Sequence, residues 1–316
     1  MERMFTERKV WDAINSMGRG KSPGRDGFIL EFYVNRWKEI KEPIMAEMKM
    51  IYDYGIVPKE WKEIILIMIP KVEKPKKVIE YRLIALCNVI YKIFAKMLVN
   101  RIRNTLKIVI GKEQYAFTPE RNMHDSILLV NEIVHKTNKS KAKFPVIIIK
   151  IDLEKAYDRV DWRVVVKIMK LMGYLEKVIR WISNCMEGIS YCYKINGVNS
   201  RHFESKKGLR QGDPLSPYLF IILEQLLSEM MNVAVKERKI DSFMFEENVI
   251  SHTLFADDIV FFIKGNSKSC KNLKTLLSEY CSISGQKLNL SKSEVIFPSN
   301  TCIQTKQLVK NILNIK

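Results

Sequence analysis

Three aspartates carry the most specific chemical information in this chain of 316 residues. Asp257 and Asp258 stand side by side in the apolar run LFADDIVFF, and Asp152 ends a second apolar run, PVIIIKID. An ionised carboxylate withdrawn from water costs several kcal/mol unless it is paired or binds a metal. LFADDIVFF therefore reads in one of two ways: a hairpin with its charges at an exposed turn, or one wall of a metal site. If the runs are neighbouring strands, three carboxylates converge, which mutual repulsion forbids without cations. Hard oxygen ligands of this kind suit Mg2+, which keeps waters and takes one or two carboxylates with substrate phosphates. Two such ions about 3.5–4 Å apart are a device for in-line phosphoryl displacement. Strand side chains alternate between faces, so Asp257 is expected to be the direct ligand and Asp258 the weaker one.

The elements needed to position these groups are legible around them. PVIIIKID is a continuous β-branched run, the mark of a strand buried on both faces. Helical patterns cover Glu7 to Ile110, interrupted by the loop GRGKSPGRDG and by the strand-and-turn stretch IILIMIPKVEKPKKVIEYRLIAL. Further helices are expected over Trp162–Gly173, Leu175–Met186, from the loop GLRQGDPLSP to about Lys236, and from about Lys268 to Ser282, with a short strand near Val295. Ile189, Tyr191, Tyr193 and Ile195 alternate on one strand face ahead of Asn196-Gly197, a strong hairpin signal. Buried strands interleaved with helices make the fold class α+β.

Composition narrows the partners. Lys and Arg number 53 against 35 Asp and Glu, a formal charge of +18, which favours a polyanion: nucleic acid first, an anionic membrane surface second. The runs IILIMI and YLFIIL fall far short of the roughly 20 residues that span a bilayer, so no membrane helix is expected. MERMFTERKVWDAI lacks the features of a secretory signal, so an intracellular protein is expected, nuclear or cytoplasmic. The 6 cysteines form no C-x-x-C pair and read as reduced core filler.

KIDLEKAYDRVDW, KKGLRQGDPLSPYLF and LFADDIVFF, in that order, resemble the palm motifs of a reverse transcriptase. KSPGRDGF, IPKVEKPKKVIEYRLIALCNVIYKIFAKMLVNRI and QYAFTPERNMHDSILLVNEIVH upstream, with SGQKLNLSKSE downstream, narrow the resemblance to non-LTR, LINE-type retrotransposons, most like those of plants. It covers about residues 7–298.

The resemblance implies a right-hand polymerase core with helical fingers over about 1–144 and a palm over about 145–300, its antiparallel sheet packed on helices. A helical insert over 162–186 and a helical tail over 301–316 complete the expected division. It implies an RNA-directed DNA polymerase, a nucleotidyltransferase that adds dNTPs to a DNA primer on an RNA template. Asp152, Asp257 and Asp258 match the ligands of two Mg2+ ions, with Mn2+ as a substitute, and the Leu153 carbonyl matches an added ligand. Tyr157 matches the bulky side chain under the sugar that collides with a 2′-hydroxyl. Lys71 and Arg82 match the cations that grip the triphosphate, a task for which the planar guanidinium fork is suited. Gln211 matches a residue beside the nucleotide, and Gly212 permits close backbone approach. Lys292 matches a lysine that protonates the leaving pyrophosphate, with Lys287 as the alternative.

Four departures from the family pattern stand out. Leu83 follows Arg82 where Pro is usual, Glu120 replaces a customary Gly, and Arg25 replaces a Pro. The fourth is the end at Lys316, from which a chain lacking the primer-gripping hairpin, the thumb and the upstream endonuclease is expected. Two rivals therefore accompany the polymerase expectation: an inactive remnant that binds nucleic acid, and a two-metal nuclease.

Overall fold

The apolar runs of this chain pair into two separate sheets. The structure, a computed structural model, describes residues 2–140, 142 and 144–315. Two compact units emerge, each discontinuous in sequence: Met1–Thr105 with Val165–Leu219, and Leu106–Val164 with Phe220–Lys316.

In the first unit the strand Glu63–Pro70 has two partners. It pairs antiparallel with Tyr81–Leu86 and parallel with Ser190–Ile195. The parallel pairing ties the segment beyond Val165 to the N-terminal segment, which is why the units do not coincide with a linear division at residue 144. Ser190–Ile195 turns at Asn196 and Gly197, both at positive φ (50° and 84°), and pairs back with Val198–Asn199. That geometry is the mirror-image turn that Asn-Gly favours in hairpins. Elsewhere in this unit Phe5 packs its ring on Phe94 and Trp181, with the Arg101 guanidinium 4.1 Å above the Phe5 ring.

In the second unit four antiparallel strands run in the order Glu294–Ile296, Val146–Ile151, Asp258–Lys264, His252–Phe255. One face of the central pair, Ile147, Ile149, Ile151, Ile259, Phe261 and Ile263, is wholly buried. On the other face Ile148 and Phe262 join Ile133 and Phe243 in a cluster that takes in Leu129, Val130 and Val134 of the helix Met123–Lys139. Both faces are covered at this end, hence the unbroken apolar runs in sequence. The apolar pattern of the 123–139 segment did not single it out as a helix. The cap supplies the missing signal, since the Asn122 side chain accepts the Asp125 N–H.

The helix Ser216–Lys236 has the length and apolarity of a membrane span, which short apolar runs alone do not reveal, but 61% of its most apolar window is buried within the protein. It serves as a core helix here. Cys87, Cys185, Cys192 and Cys270 are buried free thiols.

Candidate functional site

In the second unit the ladder between Val146–Ile151 and Asp258–Lys264 ends with the pair Ile259 and Ile151, so Asp258 and Asp152 are the next residues on the two strands. Asp257 and Ala256 form the two-residue turn between Phe255 and Asp258. Ala256 holds φ at 53°, a left-handed conformation that glycine normally takes, and its N–H donates to the buried Gln114 side chain at 3.2 Å. Gln114 also accepts the Ala116 N–H, so one amide braces the tip that bears Asp257.

Asp258 does not join a three-carboxylate cluster. Among the described residues no three His, Cys, Asp or Glu side chains gather closely enough to hold a metal ion. Lys150 faces Val260 across the ladder, which puts its ammonium 3.2 Å from Asp258 Oδ1. In this structure a protein cation, Lys150, thus shares the charge of Asp258 through one of its two oxygens. The pair is well exposed, 47% and 60%, and such pairs are worth about 1 kcal/mol or less.

Asp152 is gripped by the segment SGQKLNLSKSE. Its N–H donates to Ser293 Oγ (3.1 Å), its carbonyl accepts the Asn289 N–H (2.8 Å), and its Oδ2 accepts from Asn289 Nδ2 (2.9 Å). Leu153 bridges to Leu288, and the Glu154 N–H donates to the Lys287 carbonyl. Lys287 is committed to Glu154 through a 2.8 Å ion pair, whereas Lys292 lies exposed in the turn that follows Asn289. Tyr157 stacks on Phe220, centroids 4.9 Å apart at 11°, and its phenol is pushed up to about 12 by burial and by the Asp257 charge. Glu224 is wholly buried, accepts the Tyr280 hydroxyl at 2.6 Å, and is raised to about 8 by burial, with Asp257 adding to the shift.

The donor set suits a hard divalent cation. The oxygens on offer are carboxylates, Asp152 and Asp258 stand at adjacent strand ends, and Asn289 and Lys150 each engage one oxygen of a pair, leaving the second.

The first unit holds the remaining expected residues. Arg82 is exposed in the strand Tyr81–Leu86 opposite Ile69, and Lys71 follows the partner strand, its Nζ donating to the Ile79 carbonyl. Leu83 pairs with Met68 in that ladder, so the position after Arg82 is strand rather than loop. The Gln211 carbonyl accepts the Ala85 N–H at 2.9 Å. Gly212 has φ at 110°, and a Cβ there would lie 3.0 Å from the Ala85 carbonyl oxygen, so only glycine fits. Gly212 lines a cavity of about 490 Å3 with Lys21, Lys92 and Lys96, which brings the loop GRGKSPGRDG to the same wall. Arg25 bonds Glu63 at 2.9 Å, which accounts for the charge at that position.

The loop that presents Gln211 and Gly212 is fixed by a buried network that the sequence reading missed. Asp213 accepts from Arg210 Nε (2.9 Å), from the Tyr91 hydroxyl (2.9 Å) and from the Leu215 N–H (2.9 Å). The signal was available in GLRQGDPLSP, where an Arg and an Asp stand three residues apart as the only charged residues of the loop. In the second unit Asn289, Gln114, Lys150 and Glu224 were missed for a different reason: each acts through a long-range pairing.

Residues 72–309 match the family described as reverse transcriptase (RNA-dependent DNA polymerase). The chain is similar to the transposon TX1 uncharacterized 149 kDa protein of Xenopus laevis, 23% identical over 93% of this chain and 22% of that one. It is also similar to the Pol polyprotein from the type-2 retrotransposable element R2DM of Drosophila melanogaster, 24% identical over 90% of this chain and 26% of that one. The chain thus spans about a quarter of the length of these relatives. Similarity to a plant protein, the uncharacterized mitochondrial protein AtMg01250 of Arabidopsis thaliana, is 42% but extends over 20% of this chain and 54% of that one. Among solved structures, apo telomerase from Candida tropicalis superposes with a TM-score of 0.53 at 18% identity, covering 87% of this chain and 58% of that one.

Proposed function

Because the chain belongs to the reverse transcriptase (RNA-dependent DNA polymerase) family, we propose that it is the fingers and palm core of an RNA-directed DNA polymerase from a mobile element. The observation that carries this reading is the meeting of Asp152 and Asp258 at adjacent strand ends, with Asp257 in the turn between paired strands.

Template RNA, a DNA primer and dNTPs are the substrates of this reading. Asp152, Asp257, Asp258 and the Leu153 carbonyl would hold two Mg2+ ions, or Mn2+ in their place, which when bound would supply activation of the primer 3′-hydroxyl and neutralisation of charge on the departing pyrophosphate. Asp152 offers its carboxylate in one orientation because Asn289 holds Oδ2. Tyr157, locked by its stack on Phe220, presents a rigid ring against which a ribose 2′-hydroxyl collides. Lys71 and Arg82 bind triphosphate oxygens, Gln211 and Gly212 border the nucleotide, and Lys292 donates a proton to pyrophosphate. Lys21, Lys92 and Lys96 give the first unit a cationic wall for a phosphate backbone. Positioning and electrostatics do most of the catalytic work in such a transfer.

The test is primer extension on an RNA template with the purified chain. Mg2+-dependent dNTP incorporation that Asp257→Asn abolishes supports the reading. Salt-sensitive binding without synthesis identifies a nucleic-acid-binding remnant, and degradation of labelled nucleic acid without dNTPs identifies a nuclease.

A further inference from the structure

Within the turn Asn289–Ser293 the side chains of Asn289 and Ser293 both bond Asp152. The Asn289 carbonyl accepts the backbone N–H groups of Lys292 and Ser293 and the Ser293 hydroxyl (2.9 Å), so the turn is closed on itself. Ser293 Oγ in turn accepts the Asp152 N–H, and the Asn289 N–H takes the Asp152 carbonyl. The Asp152 backbone is thus held from both sides. The Asn289 amide is also oriented: the Asp152 carboxylate, which only accepts, takes Nδ2 at its Oδ2 (2.9 Å), and the Ser291 hydroxyl donates to the amide Oδ1 at 2.7 Å. A rotated amide would set its oxygen against the carboxylate, losing that bond and adding repulsion, while the serine hydroxyl can accept as well as donate.

We propose that Asn289 is a positioning residue that presets the Asp152 carboxylate for a divalent cation, with Ser291 bracing the other end of the amide. The proposal rests on the polymerase reading above. A carboxylate at a strand end rotates about two side-chain torsions. Tethering one oxygen removes that freedom and leaves Oδ1 as the oxygen that a cation takes. Hydrogen-bonded partners of metal-ligating carboxylates commonly change metal affinity by about 10–100-fold when removed.

The experiment is a Mn2+ titration of the full chain followed by electron paramagnetic resonance, with primer-template binding by fluorescence anisotropy and the melting midpoint measured in parallel. Asn289→Ala is expected to weaken Mn2+ binding about 10–100-fold. Its backbone bonds to Asp152 survive the substitution, so the melting midpoint and primer-template affinity stay near wild type. Ser291→Ala, which removes the brace on the amide oxygen and leaves the bond to Asp152, is expected to give a smaller loss in the same direction. Wild-type Mn2+ affinity in Asn289→Ala beside lost affinity in Asp152→Asn overturns the inference and leaves the polymerase reading standing. No Mn2+ binding by the wild-type chain overturns both.

Discussion

Replacing Asp213 by Asn tests whether the nucleotide-side loop depends on one buried ion pair. The substitution keeps shape and removes charge. Asp213 and Arg210 are 2% and 5% exposed, and the guanidinium, held well above its ordinary range by Asp213 against the cost of burial, cannot shed its proton. An amide in place of the carboxylate would leave that cation uncompensated. It would also turn an NH2 toward one of three donors: Arg210, the Tyr91 hydroxyl or the Leu215 N–H. Breaking a buried pair from one side costs about 3–5 kcal/mol, a drop in melting midpoint on the order of 10 °C. Replacing both partners by apolar residues, Arg210→Met with Asp213→Leu, removes the stranded charge. It leaves the Tyr91 and Leu215 donors unsatisfied, about 1–3 kcal/mol each. Urea unfolding read by circular dichroism supplies both values, and primer extension at varied dNTP should show a raised KM for the single variant. An Asp213→Asn cost below about 1 kcal/mol refutes the argument.

Glu120 holds φ at 67°, where a non-glycine residue costs about 1–2 kcal/mol, while its ion pair with Lys107 is exposed and worth less. Glu120→Gly is therefore expected to stabilise the protein by about 1 kcal/mol in urea unfolding. Glu224 is raised from 4.5 to about 8, so the folded protein binds the extra proton between those values, and this group's contribution to stability falls as pH rises through that window and levels off above it. Glu224→Gln mimics the protonated acid: it should match wild type near pH 5 and exceed it by a few kcal/mol at pH 9, measured as the difference between the two unfolding curves. Tyr157→Phe keeps the ring on Phe220 and should preserve selection against ribonucleotides, whereas Tyr157→Val should raise their incorporation on the order of tenfold or more in a primer-extension competition.

Local chemistry was readable from the sequence wherever a few adjacent residues decide the outcome. Asn196-Gly197 announces its turn because both residues take positive φ, and VIIIKI announces a buried strand because Ile147, Ile148 and Ile149 are covered on both faces. Glu120 was visible as a departure, and its positive φ explains why a glycine is customary there. The helix Met123–Lys139 was harder to read, since its apolar residues fall among His, Asn, Glu and Lys and only Asn122 marks its start.

The support of the candidate site was hidden because it depends on register between distant segments. Lys150 reads as a solvated charge inside KID until Val260 is found opposite it, which places the ammonium beside Asp258. Asn289 reads as loop filler until its segment lies along Asp152–Glu154, and Gln114 until Leu254 pairs beside it. Shifting the pairing by one residue would send Lys150 and Asp152 to the opposite face, because strand side chains alternate with period two. The charged end of the sheet is thus specified by the same contacts that bury Ile149, Ile151 and Phe261. An apolar substitution at those buried positions that loosens the register is a route to losing the Asp152–Asp258 arrangement without touching either carboxylate.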